Sequence, residues 1–404
     1  MYAQQRPYQK PISKTAKATM SLQLIVTSVY SVVHAIPCVQ TMCSPFMGGE
    51  RMTEGILMKG NEALAEAAIR AGCNFYVGYP ITPQNEVLEY MCWRMEQSGG
   101  EFIQSESEIA AVNILLGAAA AGARGMISSS GPGFSLFQEG ISYLVAGDIP
   151  AVIVDVARYG SGIGEISQGQ CDYSLVTRGN GHGDSHLIVL TPASVQETAD
   201  LTALAFDLAE KYRHPVIILS DAAIGQMMEP VVLPEPQKAD IDRYDWTVKG
   251  CLSENKPRLI TNLFYYMDDY DRFLRDKYES MRQNEQRWES FCVDDAEIII
   301  VAYGISSRVS REVVRKARDE GIKLGMIRLI TAYPFPEKAF EHLDNCKAFV
   351  TVEMSAVGHL ADDVRLADRC AHPVYSICTG INVPERDEIL TTVKSIADKN
   401  AGGR

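Results

Sequence analysis

From Gly55 onward the chain alternates short β-branched runs with helical stretches, and this rhythm restricts the fold more than any other feature. FYVGYP (residues 75–80), EFIQ (101–104), GMISSS (125–130), AVIVDVA (151–157), LIVL (187–190) and PVIILS (215–220) read as strands. Between them, NEALAEAAIRAG (61–72) reads as a helix closed by glycine. ITPQNEVLEYMCWRM reads as a helix with Thr82 at its N-cap and Pro83 at its first position. Three more helices are expected: the alanine-rich part of QSESEIAAVNILLGAAAAGA (104–123), GPGFSLFQEGISYLVAG, and residues 194–212. Strands buried on both faces and separated by helices predict an α/β fold with a parallel sheet. Ligands of such sheets sit beyond the carboxyl ends of the strands. The loops YPITP, QSESE, SSSGPG and residues 158–186 are therefore expected at one edge.

A second α/β unit begins at AEIIIVAYG (296–304). A helix ending at Gly321 follows, then the strand KLGMIRLI, a helix in FPEKAFEHL, the strand KAFVTVEM (347–354), a helix in GHLADDVRLADRC and the strand PVYSIC (373–378). Residues 229–294 are polar, proline-bearing and charged, and read as a linker with one exposed helix packed across domains. The expected division is an extension at 1–52, an α/β domain at 53–228, the linker at 229–294 and a smaller α/β domain at 295–404. The extension joins a basic start to an apolar run interrupted by Gln23, Thr27, Ser28, Ser31 and His34, which argues against a signal peptide or membrane anchor. It is expected to be a start-site artefact, with Met52 as the first residue, or an unstructured tail.

The net charge of −13, from 38 basic and 51 acidic residues, argues against a nucleic-acid surface. Ten cysteines are scattered without a C-x-x-C pair, so neither a zinc ribbon nor an iron–sulfur cluster is expected on this chain, and a reducing cytoplasm suits it. No metal ligand set stands out. There is no G-x-x-x-x-G-K-[ST] phosphate loop, no G-x-G-x-x-G in a first strand–helix turn, no G-x-S-x-G elbow and no H-E-x-x-H helix. His182 and Asp184 in GHGDSH are a candidate acid–base pair, with a structural loop hydrogen bond as the competing use. Glu106 and Glu108 stand at the mouth of the alanine-rich helix. By themselves they are explained by attraction of anions to a helix N-terminus.

Taken together, GYPITPQNE, ESEIAA, SSSGPG, the V-A-R ending at Arg158, GHGDSH and IILSDAAIGQMMEP resemble the alpha subunit of the 2-oxoacid:ferredoxin oxidoreductases. The branched-chain type, acting on 2-oxoisovalerate (3-methyl-2-oxobutanoate), is the most similar. The likeness runs from about Leu57 to Val393. It implies a thiamine-diphosphate pyrimidine-type domain followed by a transketolase C-terminal-like domain. It also implies oxidative decarboxylation of a 2-oxoacid to acyl-coenzyme A, with electrons passed to ferredoxin. Glu108 would hold the aminopyrimidine ring nitrogen of the cofactor. Thr82 and Arg158 would bind the substrate, and Pro80, Ile81, Gly131 and Gly133 would lie against the cofactor. This chain has no G-D-G run, so the Mg2+-held diphosphate is expected on a beta subunit, and the iron–sulfur clusters on partner subunits, with gamma and ferredoxin-like chains completing an anaerobic, cytoplasmic hetero-oligomer. No membrane partner is expected. The same chemistry on 2-oxoglutarate or pyruvate, or a non-catalytic assembly role, stand as alternatives.

Overall fold

The structure, a computed structural model, describes residues 55–238, 244–248, 250, 260 and 269–402. The expected extension at 1–52 lies outside them, as does much of the expected linker. The first α/β unit runs β1 (Ile56–Lys59), α1 (Gly60–Arg70), β2 (Phe75–Gly78), α2 (Asn85–Ser98), β3 (Glu101–Gln104), α3 (Glu108–Ala120), β4 (Gly125–Ser129), α4 (Gly131–Ala146), β5 (Ala151–Tyr159), β6 (Glu165–Gln168), α5 (Tyr173–Arg178), β7 (Ile188–Leu190), α6 (Val195–Tyr212), β8 (Pro215–Asp221), α7 (Ala222–Gln226) and β9 (Met228–Val231). The remainder runs α8 (Tyr270–Asn284), β10 (Trp288–Phe291), β11 (Ile298–Ala302), α9 (Gly304–Asp319), β12 (Leu324–Leu329), β13 (Thr331–Tyr333), β14 (Ala348–Glu353), α10 (Leu360–Ala367), β15 (Val374–Cys378) and α11 (Arg386–Gly402).

The larger sheet has the order β13-β7-β8-β5-β4-β2-β3, with β6 pairing the end of β5. Its six strands from β7 to β3 are parallel, and β13 pairs β7 antiparallel. Strand β5 explains why both faces must be covered. Val152, Val154 and Val156 point to the side holding Leu64, Met91 and Phe206, while Ile153 and Ala157 point to the side holding Val112, Phe134 and Phe137. Helices α3 and α4 cross closely on the second side. A Cβ added at Gly140 would lie 2.9 Å from Val112 Cβ, so the small residues there serve helix–helix contact.

The smaller sheet has the order β10-β12-β11-β14-β15, parallel except for β10. One of its faces carries Val313, Val314, Leu390 and Val393. Its other face, with Ile299, Val301 and Phe349, joins the cluster beneath α3 and α4. The two units therefore share apolar core. Strand β13, from the second unit's stretch of chain, extends the first unit's sheet against β7. Helix α8 spans both units. Its Leu274 and Met281 are buried, Lys277 pairs with Asp148, and Gln283 O accepts from Lys338 Nζ at 2.9 Å.

Two sequence expectations are corrected. Helix α2 begins at Asn85 with Gln84 at the N-cap, not at Pro83 with Thr82 as cap. Residues 81–84 instead form a turn closed by Gln84 N–H to Ile81 O (3.1 Å), and Pro83 O accepts from Asn61 Nδ2 at 2.9 Å. The helix expected in FPEKAFEHL is only a 3-10 turn, Glu337–Phe340. Gln286 Oε1 takes the Lys338 N–H, Glu341 turns extended, and His342 adopts φ 63°, which ends any helix.

Candidate active site

Moving along the larger sheet, the chain steps from β2 outward to β3, then back across β2 to β4. That reversal opens a crevice at the carboxyl ends of β2 and β4, where ligands of parallel sheets bind. The loops that reach it are the YPITP turn after β2, the approach to α3 after β3, Ser130–Gly133 after β4, and the end of β5.

Glu108 is the first residue of α3 and is 6% exposed, whereas Glu106 is exposed. Ser107 caps the helix, its Oγ accepting from Ala110 N–H at 3.2 Å. The cap frees Glu108 from that duty. Glu108 makes no side-chain hydrogen bond to a described residue. Its carboxyl instead faces Gly133, where a Cβ would stand 2.5 Å from Oε1 and also strike Ser129 Oγ. Glycine at 133 is thus required for the carboxyl to lie over the start of α4. The buried hydroxyls of Ser129 and Ser130 have no partner. Buried polar atoms rarely stay unpaired, so these two point to a bound group.

The YPITP turn is anchored by a buried chain of side chains. Tyr76 Oη meets Ser128 Oγ at 2.6 Å, Ser128 Oγ donates to Gln84 Oε1 at 2.6 Å, and Gln84 Nε2 donates to Tyr79 O at 3.2 Å. Tyr79 and Pro80 are exposed, and Ile81 and Thr82 are half-buried, so the turn's outer surface is open. Arg158, 6% exposed, sits at the end of β5. Its Nη1 donates to Thr82 O at 2.8 Å and its Nη2 to Ile163 O. Two of five guanidinium N–H groups are used, and Nε has no partner. Thr82 and Arg158, selected separately in the sequence, are in direct contact.

Sequence reasoning missed two acids here. Asp155 interrupts the apolar row of β5 on the side facing α4 and is fully buried, with neither carboxyl oxygen well hydrogen-bonded. Burial, and then the charge of Asp172, push its carboxyl well above the usual range, offset only in part by the Gly131 N–H and Arg158. Asp172 is pushed up to about 6 by burial, against the pull of Arg158. The signal was legible: a lone carboxyl inside AVIVDVA costs free energy unless it is paired, hydrogen-bonded or protonated, so its presence marks the strand.

No bond joins the candidate pair His182 and Asp184 among the described residues. His182 is exposed, with Nδ1 3.6 Å from Glu139 Oε2. Glu139 lies eight residues into α4 from Gly131, roughly 12 Å from the crevice at 1.5 Å per residue. Asp184 acts electrostatically on His186 instead. Both belong to a loop folded over the far half of α4, where Gly181 N–H meets Gln138 Oε1 at 2.5 Å. Among the described residues no group of three or more His, Cys, Asp or Glu could hold a metal ion, and no helix is long and apolar enough to cross a membrane.

The chain is similar to known proteins along most of its length. The family model described as pyruvate flavodoxin/ferredoxin oxidoreductase, thiamine diphosphate-binding, matches residues 66–261. The model for pyruvate:ferredoxin oxidoreductase core domain II matches residues 296–385. The chain is 46% identical to the ketoisovalerate oxidoreductase subunit VorB of Methanothermobacter thermautotrophicus, over 84% of this chain and 97% of that one. It is 35% identical to the 2-oxoglutarate synthase subunit KorA of Methanocaldococcus jannaschii, over 77% and 94% respectively. Among solved structures, the 2-oxoglutarate:ferredoxin oxidoreductase of Magnetococcus marinus, with 2-oxoglutarate, coenzyme A and succinyl-CoA bound, superposes with a TM-score of 0.75 at 27% identity, covering 88% of this chain and 68% of that one. A split-gene transketolase at 15% identity and a TM-score of 0.53 shares the fold.

Proposed function

The chain belongs to the 2-oxoacid:ferredoxin oxidoreductases, and from that premise we propose that it is the subunit supplying the pyrimidine side of a thiamine diphosphate site that decarboxylates 2-oxoisovalerate. The observation that carries this is Glu108, buried at the head of α3 and laid over Gly133 beside two unpartnered serine hydroxyls. A carboxyl, two hydroxyls and a floor without a Cβ fit a flat aminopyrimidine, which offers ring nitrogens and an amino group. Pro80, Ile81, Gly131 and Gly133 line that seat.

Bound thiamine diphosphate supplies the nucleophilic carbon and the electron sink for loss of CO2. The chain's residues do the rest. Glu108 holds a proton against the aminopyrimidine ring nitrogen in a site shielded from water, where such a bond is strongest. Arg158, with three N–H groups in hand, receives the substrate carboxylate; its planar fork suits two oxygens. Its hold on Thr82 O fixes the YPITP turn against the incoming keto acid. Ile163 and Ile166, 86% and 64% exposed on the hairpin that Arg158 holds, offer apolar surface to a branched aliphatic side chain. That surface, with the 46% identity to a ketoisovalerate oxidoreductase subunit, favours 2-oxoisovalerate over 2-oxoglutarate.

The site is half of a working centre. The chain has no G-D-G run for a metal-held diphosphate. Ile109 and Leu136, in the first turns of α3 and α4, are 54% and 45% exposed, and Tyr143 farther along α4 is 38% exposed, a surface suited to a beta subunit that brings Mg2+ and the diphosphate pocket. Gamma and ferredoxin-like subunits carrying the iron–sulfur clusters would complete a cytoplasmic complex that acylates coenzyme A and reduces ferredoxin. Anaerobic affinity purification of the chain from its own cells tests this. The expected result is copurification of a G-D-G chain and a cysteine-rich chain, with coenzyme A-dependent dye reduction faster on 2-oxoisovalerate than on 2-oxoglutarate or pyruvate. A lone chain, inactive on all three and free of thiamine diphosphate, overturns the reading.

A further inference from the structure

Three charged side chains converge on Gly131. A Cβ there would lie 3.6 Å from Arg158 Cγ, 3.7 Å from Arg158 Nε and 3.9 Å from Asp172 Oδ2, and the Gly131 N–H faces Asp155. Arg158 Nε, Asp172 Oδ2 and both oxygens of Asp155 are buried without partners. Arg158 forms no ion pair with either aspartate among the described residues; backbone carbonyls of Thr82 and Ile163 hold it. The aspartates therefore do not position the arginine by contact. They act on it through space, in surroundings where charge is weakly screened.

Asp155 is fully buried, and Asp172 is half-buried with its Oδ2 out of water, so charge on both carboxyls beside one guanidinium is costly. With one proton on the pair, the cluster is neutral: one negative charge against one positive. An arriving 2-oxoacid carboxylate adds a second negative charge. We propose that Asp155 and Asp172 form a proton-carrying carboxyl pair that balances Arg158 in the absence of substrate and takes up one further proton from solvent when a 2-oxoacid docks on that arginine. This rests on the reading of Arg158 given above. Asp155, the more deeply buried, keeps the resident proton. Asp172 gains the second and so releases Arg158 to the substrate. Its ordinary state near neutrality fits that role, since burial raises it only to about 6. The Cys171 thiol and the Tyr303 phenol stay neutral throughout: burial raises both, reinforced at Tyr303 by the Glu353, Asp221 and Asp172 charges and at Cys171 by the Asp172 and Glu353 charges against the Gly160 backbone bond.

The linkage has a definite sign. Substrate binds best with Asp172 protonated, so KM for the 2-oxoacid rises as pH climbs through the ionisation of Asp172. The rise approaches about tenfold per pH unit for one linked proton. The assembled complex is assayed from pH 5.5 to 8.5 with 2-oxoisovalerate, saturating coenzyme A and an electron-accepting dye. For the parent, KM is expected to climb while kcat changes little. For Asp172→Asn, KM is expected to stay near the parent's acid-limit value at every pH. An Asp172→Asn complex whose KM climbs as the parent's does, or is raised equally at every pH, overturns the proposal. Asp155→Asn is the second variant. It replaces an acid that stays protonated throughout, and is expected to leave the pH at which KM turns upward where the parent has it. If neither variant assembles, a parent KM flat across the range overturns the proposal and a climbing KM supports it. Arg158→Lys is run alongside. If KM is indifferent to that change, the substrate reading of Arg158 fails; if KM responds but Asp172→Asn leaves the profile intact, only the proton linkage fails.

Discussion

Replacing Glu108 by glutamine separates catalysis from helix electrostatics, because the two roles predict opposite results. The side chain makes no hydrogen bond to a described residue, and glutamine has the same shape, so packing against Gly133 and Ser129 is preserved. Ser107 keeps its cap on Ala110. What is lost is one carboxylate at the first position of α3. If that charge serves only the helix dipole, the loss is about 0.3–1 kcal/mol of stability, with turnover intact. If Glu108 holds a proton at the cofactor's ring nitrogen, kcat should fall by about 10²–10⁴, the range for a positioned acid–base group. That is roughly 3–5 kcal/mol of barrier, since each 1.36 kcal/mol is tenfold. The assay is coenzyme A-dependent dye reduction by the assembled complex, with subunit copurification and thermal melting as controls. The exposed neighbour is the comparison: Glu106→Gln should change neither turnover nor assembly. A Glu108→Gln complex that assembles fully and turns over within threefold of the parent would refute the catalytic reasoning and return the residue to the helix terminus.

Arg158→Lys should raise KM for the 2-oxoacid about 10–100-fold with a smaller change in kcat, because an ammonium cannot hold Thr82 O and Ile163 O and still present a planar fork; steady-state kinetics decide it. Gly133→Ala forces a methyl to within 2.5 Å of Glu108 Oε1, so the complex should lose turnover much as Glu108→Gln does, at an overpacking cost of about 1–3 kcal/mol read by chemical denaturation. His214 is fully buried; burial first, then Lys277, push its pKa down to about 3, so the folded chain keeps it neutral while the unfolded chain protonates it below pH 6.5. The unfolded state then binds the extra proton, and stability should fall on acidification by about 1.4 kcal/mol per pH unit between pH 6 and 4 from this group alone. His214→Gln should flatten that slope in denaturation curves measured across pH.

The sheet was legible because its strands are short, β-branched and bounded by glycine or proline, and burial on both faces leaves few alternatives to a parallel arrangement. Glu108 and Arg158 were selected through the family resemblance of ESEIAA and V-A-R; a carboxyl at the head of an apolar helix is by itself explained by the helix dipole. The start of α2 was misplaced because Thr82 and Pro83 carry ordinary helix-start chemistry, while the turn is fixed from outside by Asn61, Ser128 and Gln84, residues distant in sequence from it or satisfied by tertiary contacts. FPEKAFEHL was misplaced for a similar reason. Its helical composition is overruled by Gln286 taking the Lys338 N–H and by packing of Phe335 and Phe340 on the shared core. His182 and Asp184 were selected for chemistry alone, and nothing local in GHGDSH states that its loop folds over the far end of α4.

The second α/β unit, whose contribution sequence could not assign, bears on the site through one residue. Gln170 lies between the β6 strand and Asp172. Its N–H donates to Met354 O at 2.7 Å, its Oε1 accepts from Met354 N at 3.0 Å and Ser306 Oγ at 2.7 Å, and its Nε2 donates to Tyr303 O at 3.1 Å. Tyr303 Oη returns a bond to Gln170 O at 3.2 Å. Each polar atom of this buried glutamine bonds the second unit, Nε2 donating also to Asp221 Oδ2 at 3.5 Å, and this fastens the stretch of chain carrying Asp172 near Arg158. Asp221 adds a parallel tie, capping α7 at Ile224 N and accepting from Ile305 N at 3.1 Å. A loop held only by its own ends could not keep an unpartnered carboxyl oxygen out of water beside a guanidinium, because the acid would swing to solvent. The strap from β14 and α9 removes that escape. On this view the smaller unit contributes to substrate binding without touching substrate, by holding an acid where its charge is felt.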